Sequence, residues 1–179
     1  VCTCSTLRIR PESAGDAAEI RRVVTAAFGR ADEADLVEGI RSSPEYEPDL
    51  ALVAELDGDL VGHVMISRAL LRTRRADRSI VMLSPLSVAP AVQRQGIGGA
   101  LVQGAVEGAA RADEPLVVLE GSPAYYGRFG FEPAHRRGIE LPLPSWAPPE
   151  AGQVIVLRPE GDELSGTVVY PPSFDSIDE

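Results

Sequence analysis

The spacing of apolar residues changes period several times along this chain, and each change marks an element. Thr6-Leu7-Arg8-Ile9-Arg10 alternates apolar and charged side chains before Pro11, the pattern of a half-buried strand. Ile20, Val23, Val24, Ala27 and Phe28 then recur at helical spacing up to Gly29, with Asp16 the expected N-cap and Glu19 three residues on. A second helix is predicted over Asp32 to Arg41, with Leu36, Val37 and Ile40 on one face. From Leu50 the period falls to two: a strand to Leu56, a turn at Asp57-Gly58-Asp59, and a returning strand from Leu60 to about Arg72. Another strand is expected over Ser79 to Val88 and a helix over 97–112, followed by the continuously apolar Leu116 to Leu119, a strand buried on both faces. Further on, Val154 to Leu157 and Thr167 to Tyr170 read as strands, and Asp175 to Glu179 as a tail. This order predicts an α/β chain of the α+β type, with a mixed sheet flanked by helices. No repeat and no polar linker divides residues 1–179, so a single domain is expected.

Composition narrows the function more than the fold. All 17 basic residues are Arg, and neither Lys nor Asn occurs. Without Lys there is no P-loop lysine and no Schiff-base chemistry, and without Asn no N-glycosylation acceptor. A net charge of −10 argues against a general nucleic-acid partner, which needs a basic footprint. Charge is uneven, however: residues 61–100 hold six Arg (68, 72, 74, 75, 78 and 94) against Asp77 alone, so an anion is welcome in that region. No apolar run is long enough for a membrane helix, and the start lacks the layout of a signal peptide, so no membrane partner and a cytoplasmic location are expected. The cysteines, Cys2 and Cys4, have no second pair to complete a zinc site; incidental thiols and no metal are the expectation.

The stretch Leu86-Ser87-Val88-Ala89-Pro90-Ala91-Val92-Gln93-Arg94-Gln95-Gly96-Ile97-Gly98-Gly99-Ala100 carries the most chemistry. It is a strand end, a loop and a helix N-terminus, where unpaired N–H groups and the helix dipole favour an anion such as phosphate. Gly96, Gly98 and Gly99 let backbone and ligand approach closely, and Arg94 adds a full charge. A dinucleotide fold is an alternative, with Glu120 at the distance of a ribose-binding acid. Against it, the third glycine of G-x-G-x-x-G would fall on Leu101, and the first lies well past Val88.

Gln93-x-x-Gly96-x-Gly98, after Leu86-Ser87-Val88-x-Pro90, resembles the signature of the GNAT superfamily of acyl-CoA-dependent N-acetyltransferases. Tyr126-Gly127-Arg128-Phe129-Gly130-Phe131 is similar to that superfamily's Tyr-x-x-x-Gly-Phe segment, and the fuller run from Gly121 looks like a bacterial subgroup of predicted acetyltransferases. In that subgroup an Asp is usual where Ser122 stands. The resemblance covers about Thr6 to Phe131 and implies a GNAT-like, mostly antiparallel twisted sheet with helices on both faces. It implies acetyl-CoA as acyl donor, held by the amides of Arg94, Gln95, Gly96, Ile97, Gly98, Gly99 and Ala100, with the backbone of Leu86, Ser87 and Val88 pairing with the pantetheine arm. It further implies Tyr126 as the acid that protonates the leaving thiolate, Val88 N–H as an oxyanion donor, and direct transfer to a primary amine in a ternary complex.

Tyr125 competes with Tyr126, and the alignment with Gly130-Phe131 favours Tyr126. Glu120 is a possible general base, and equally an acid that pairs at a strand end. His63 is more simply a satisfied strand residue and His135 a solvated one. Glu33 and Glu38 belong either to the acceptor side or to a solvated helix face, and Trp146 either walls the acceptor pocket, anchors a dimer or pins its loop. The rival functions are a non-catalytic CoA-binding module and, third, a dinucleotide-dependent enzyme. The acceptor itself is not readable from the residues, and a homodimer would be unsurprising.

Overall fold

The computed structural model describes residues 5–176; Cys2, Cys4 and the last three residues of the expected tail lie outside them. Strands β1 (Leu7–Pro11), β2 (Tyr46–Leu56), β3 (Asp59–Arg72), β4 (Asp77–Val88), β5 (Leu116–Glu120), β6 (Glu132–Pro133), β7 (Ile139–Glu140), β8 (Gly152–Val156) and β9 (Gly166–Val169) form one sheet. Its main order is β1-β2-β3-β4-β5-β8-β6, and β9 joins β3 and β7 beside it. Only β4 with β5 and β7 with β9 run parallel. A sheet so largely antiparallel is not a dinucleotide-binding fold, which removes that alternative.

Period-two alternation delivers two opposite apolar faces. Leu52 and Ala54 of β2 point to helix α3 (Ile97–Arg111), whose Leu101, Val102 and Ala105 join the same core. Ala51 and Val53 point the other way, onto α1 (Ala17–Phe28) and α2 (Asp32–Arg41) through Val23, Val24, Val37 and Ile40. Strand β5 divides likewise, Val117 and Leu119 to one core and Leu116 and Val118 to another, as a strand buried on both faces should.

The hairpin turn has Asp57 at φ 54° and Gly58 at φ 94°, the two left-handed residues of a type I′ turn. Two strands start earlier than the pattern suggests. Strand β2 begins at Tyr46, since Tyr46 pairs with Ser67 before a register shift, and Pro48 within that stretch hides the period. Strand β4 begins at Asp77, opposite Arg72. Asp16 stands at the N-cap position of α1 without capping it: its carboxylate instead receives Arg10 Nη1 at 2.7 Å and Ser13 N–H at 2.8 Å. Asp175, expected in the tail, lies in the 3-10 turn Pro172–Ser176.

One buried polar cluster ties β1, α2, β2 and β3 together. Glu12, whose side chain is 2% exposed, accepts from Arg41 Nε at 2.8 Å and Tyr46 Oη at 2.7 Å, and lies 2.8 Å from Nε2 of the fully buried His63. Burial alone would raise the Glu12 carboxyl, but the hydrogen bonds from His63, Arg41 and Tyr46 outweigh it and hold the group at about 2. Because this value lies below that of an unfolded glutamate, the cluster's stabilisation is complete above about pH 4.5 and is lost as pH falls toward 2. Glu12→Gln is expected to cost about 3–5 kcal/mol at pH 7 by leaving Arg41 and His63 unpaired. Urea unfolding between pH 6 and 2 checks this: the gap between wild type and variant should close as pH falls, and a gap independent of pH would contradict the assignment.

Candidate functional site

The site starts from a mismatch between neighbouring strands. Val64 pairs with Leu86 and Ile66 with Leu83, so β4 spends three residue steps against two of β3 and bulges. Pro85 sits in the bulge and has no N–H to give a ladder. On its other side β4 pairs with β5 only at Val81–Val117 and Met82–Val118. Beyond Met82 the strands part, leaving the edge of β4 toward β5 without a partner strand. Ala89 donates its N–H to Val61 O at 2.7 Å, on the β3 side. Successive strand N–H groups point to opposite edges, so that of Val88 faces the opening.

The loop after β4 aims α3 into this opening. Arg94 (φ 63°) and Gly96 (φ 85°) adopt left-handed backbone, and Gly96 is the N-cap. The first helical bond runs from Ala100 N–H to Gly96 O at 3.0 Å, so the N–H groups of Ile97, Gly98 and Gly99 leave the helix end without an intrahelical acceptor. Gln93 reaches back with Nε2 to Val88 O at 3.0 Å, tying the loop to the strand end.

A cavity of about 790 Å³ lies in front of these groups, walled by Leu86, Val88, Gln93, Arg94, Gly96, Gly98, Gly99 and Ala100 of the predicted set. Ser87, Gln95 and Ile97 are not on its wall: Ser87 is buried, with Oγ 3.5 Å from His63 O, and Ile97 is packed in the core. The Ser87 and Ile97 side chains turn away, which does not bear on the backbone groups of the three. Gln103, Tyr125, Arg128 and Phe129 complete the wall; sequence reasoning named Tyr125 only as a rival acid and gave the other three no part in the cofactor site. Tyr125, Arg128 and Phe129 follow the helical spacing i, i+3, i+4, a signal that could have grouped them on one face. Arg128 lies over the Tyr125 ring at 4.8 Å and donates Nε to Tyr125 O at 3.3 Å. Among the described residues two arginines and no acid line the cavity, so it favours an anion.

A second chamber of about 330 Å³ lies against Leu86, which also walls the first. Its other walls come from Phe28, Glu33 and Leu36 of the first two helices, Met82 to Pro85 of β4, Glu120, Tyr126, and Tyr170 and Phe174 near the C-terminal end. Thus the two adjacent tyrosines separate: Tyr125 borders the first cavity and Tyr126 the second. The Tyr126 ring lies beneath Gly121, where a Cβ would come within 2.3 Å of it, and meets Phe131 edge-on at 5.9 Å. Burial, with a smaller contribution from Tyr125, pushes the Tyr126 hydroxyl up to about 12. Glu120 ends β5 and accepts a hydrogen bond from Tyr170 Oη. Its side chain lines the chamber while staying exposed to solvent on one side, and partial desolvation raises its carboxyl, only partly offset by Tyr170.

Other candidates fall elsewhere. His63 is locked to Glu12 and borders neither cavity. Glu38 pairs with Arg21 at 2.9 Å on the exposed helix face, whereas Glu33 is 7% exposed and lines the chamber, against the solvated reading for that residue. His135 lies exposed in a 3-10 turn, and Trp146 is 80% exposed and walls neither cavity. Among the described residues no helix is long and apolar enough to cross a membrane.

Residues 8–134 match the acetyltransferase (GNAT) domain family. The chain belongs to the GNAT acetyltransferase family. Its sequence is 37% identical over 130 residues to the uncharacterised N-acetyltransferase YjhQ of Escherichia coli K12, covering 72% of each chain. It is 31% identical over 169 residues to the uncharacterised N-acetyltransferase YhbS of the same strain, covering 93% of this chain and 98% of YhbS. The crystal structure of E. coli YhbS in complex with CoA superposes with a TM-score of 0.87 at 28% identity, over 98% of this chain and 95% of that one. A GNAT acetyltransferase from Brucella melitensis in complex with acetyl-CoA gives a TM-score of 0.76 at 32% identity, over 95% and 99%. The GNAT fold expected from the sequence, a mostly antiparallel sheet with helices on both faces, is the fold observed.

Proposed function

We propose that this GNAT protein transfers the acetyl group of acetyl-CoA to a primary amine by direct attack in a ternary complex. The observation that carries the reading is the glycine-rich N-terminus of α3, with three outward N–H groups and two arginines facing a cavity between parted strands. A pyrophosphate fits there, because amides and guanidiniums supply donors and charge together. The fit is close: a Cβ on Gly98 would stand 2.6 Å from Tyr125 Oη, inside the space such a ligand needs. The unpartnered edge of β4 at Leu86 to Val88 suits an extended amide-bearing arm, which can add to it as a strand does. The CoA and acetyl-CoA complexes of the two relatives support the same donor here.

Leu86 borders both cavities, so a thioester carried along β4 would meet an amine from the second chamber at this residue. The amine must lose a proton to attack, and Glu120, with its raised carboxyl, is the group facing the chamber that can take it. The nitrogen lone pair then adds to the carbonyl carbon, and the oxyanion is met by Val88 N–H. As the intermediate collapses the C–S bond breaks, and the thiolate takes a proton from Tyr126, kept neutral by burial. The second proton leaving the nitrogen restores the Tyr126 hydroxyl, so the single net proton released is the one Glu120 took and passes to solvent. No covalent acyl-enzyme is needed.

The test is thermal unfolding with acetyl-CoA, free CoA and NAD in parallel. Acetyl-CoA at about 100 times its Kd should add roughly 2.7 kcal/mol to stability, with CoA close behind and NAD without effect. Stabilisation by NAD alone, or by none of the three, would overturn the reading. A binding module without catalysis predicts the same shifts but no thiol release with any amine.

A further inference from the structure

We infer that the acceptor is a small monoamine whose body is aromatic or branched and apolar, carrying one positive charge and no carboxylate. The inference rests on the acetyl-transfer reading and specifies the chemistry of its second chamber.

Charge in the chamber sets the charge of the occupant. Two carboxylates line it, and they are not equivalent. Both oxygens of Glu33 are taken by Arg30, with Nη2 at 2.6 Å from Oε1 and Nε at 3.1 and 3.2 Å from Oε1 and Oε2. Glu120 has the neutral Tyr170 hydroxyl as a partner and is paired with no basic side chain among the described residues. One uncompensated carboxylate matches one ammonium. A second ammonium would find no further unpaired carboxylate among the described lining residues, and a carboxylate on the acceptor would stand beside the like charge of Glu120.

The walls set the body. Apart from the two acids and Ser84, the chamber presents Phe28, Tyr126, Tyr170 and Phe174 with apolar side chains of α2 and β4, and among the described residues no lysine or arginine lines it to hold an anionic group. Tyr170 and Phe174 lie 5.5 Å apart between ring centroids, and with Phe28, which also lines the chamber, they offer aromatic surface. A volume of about 330 Å³ is near the lower end for small-molecule pockets, which suits a compact amine.

Release of CoA thiol tests this with 2-phenylethylamine, phenylalanine and 1,4-diaminobutane as acceptors, alongside the thermal shift with acetyl-CoA. Phenylalanine adds only a carboxylate to the first amine, and 1,4-diaminobutane trades the ring for a second charge. The kcat/KM for 2-phenylethylamine should exceed each of the others by about tenfold or more, because a like or unpaired charge is costly in such a site. Phe174→Ala should raise KM for 2-phenylethylamine about tenfold by removing an apolar wall. Equal or better turnover of phenylalanine or 1,4-diaminobutane would overturn the inference and leave acetyl transfer standing. So would a normal shift with acetyl-CoA and no turnover of 2-phenylethylamine. Absence of any acetyl-CoA shift would instead remove the donor reading, and the inference with it.

Discussion

Gly98→Leu is expected to abolish stabilisation by acetyl-CoA. At Gly98 even a Cβ would stand 2.6 Å from Tyr125 Oη and 3.6 Å from Val88 Cγ2, and the rest of a leucine would extend into the cavity in front of the α3 amides. The helix itself should tolerate the change, since leucine is a better helix former than glycine by up to about 1 kcal/mol. The variant should therefore melt close to the wild type without ligand, yet lack the roughly 2.7 kcal/mol gained at about 100 times the wild-type Kd. Gly98→Ala should lie between the two, because Tyr125 is a side chain that can swing aside. A leucine variant that keeps its affinity for acetyl-CoA would show that the pyrophosphate sits elsewhere.

Tyr126→Phe should lower kcat by about 10²- to 10⁴-fold, the range spanned by loss of a positioned proton donor. The ring stays in place beneath Gly121 and against Phe131, so folding and acetyl-CoA affinity should change little. A group that must be protonated to act loses its function as pH rises through its own value, here about 12, so Tyr126 should impose no fall in rate between pH 7 and 10. Tyr125→Phe is the informative control. Tyr125 borders the donor cavity, not the chamber, and its removal should act on acetyl-CoA affinity more than on kcat. If Tyr125→Phe carries the loss in kcat and Tyr126→Phe does not, the two roles are exchanged.

Neighbouring tyrosines of one short helix thus border two different cavities. Sequence reasoning named both and chose between them by alignment with Gly130-Phe131; the wall each one forms depends on where that helix, Pro123–Tyr126, is set beyond β5. Glu33 is similar. Its place on an exposed-looking helix suggested solvent, and only the tertiary arrangement that brings α2, residues of β4 and the C-terminal segment around one chamber makes it a wall. Arg30, its partner, lies three residues away, and the pairing matters because it neutralises one of the two acids that line the chamber.

What the sequence by itself determined were features set by neighbours along the chain. Period-two and helical patterns specified the hairpin, the first two helices, α3 and the doubly buried β5, because backbone geometry repeats over a few residues. The run from Gln93 to Ala100 announced an anion site for the same reason: a helix N-terminus with glycines offers its N–H groups whatever the rest of the fold does. Tertiary structure alone decided where β4 parts from β5, since that depends on a bulge at Ser84-Pro85 and on how few pairs the two strands share. It also decided that Glu12, Arg41, Tyr46 and His63 form one buried cluster, and that Tyr170 and Phe174 wall a chamber with Glu120 and Phe28. Those groups come from distant parts of the chain, and no local period encodes which of them will share one space.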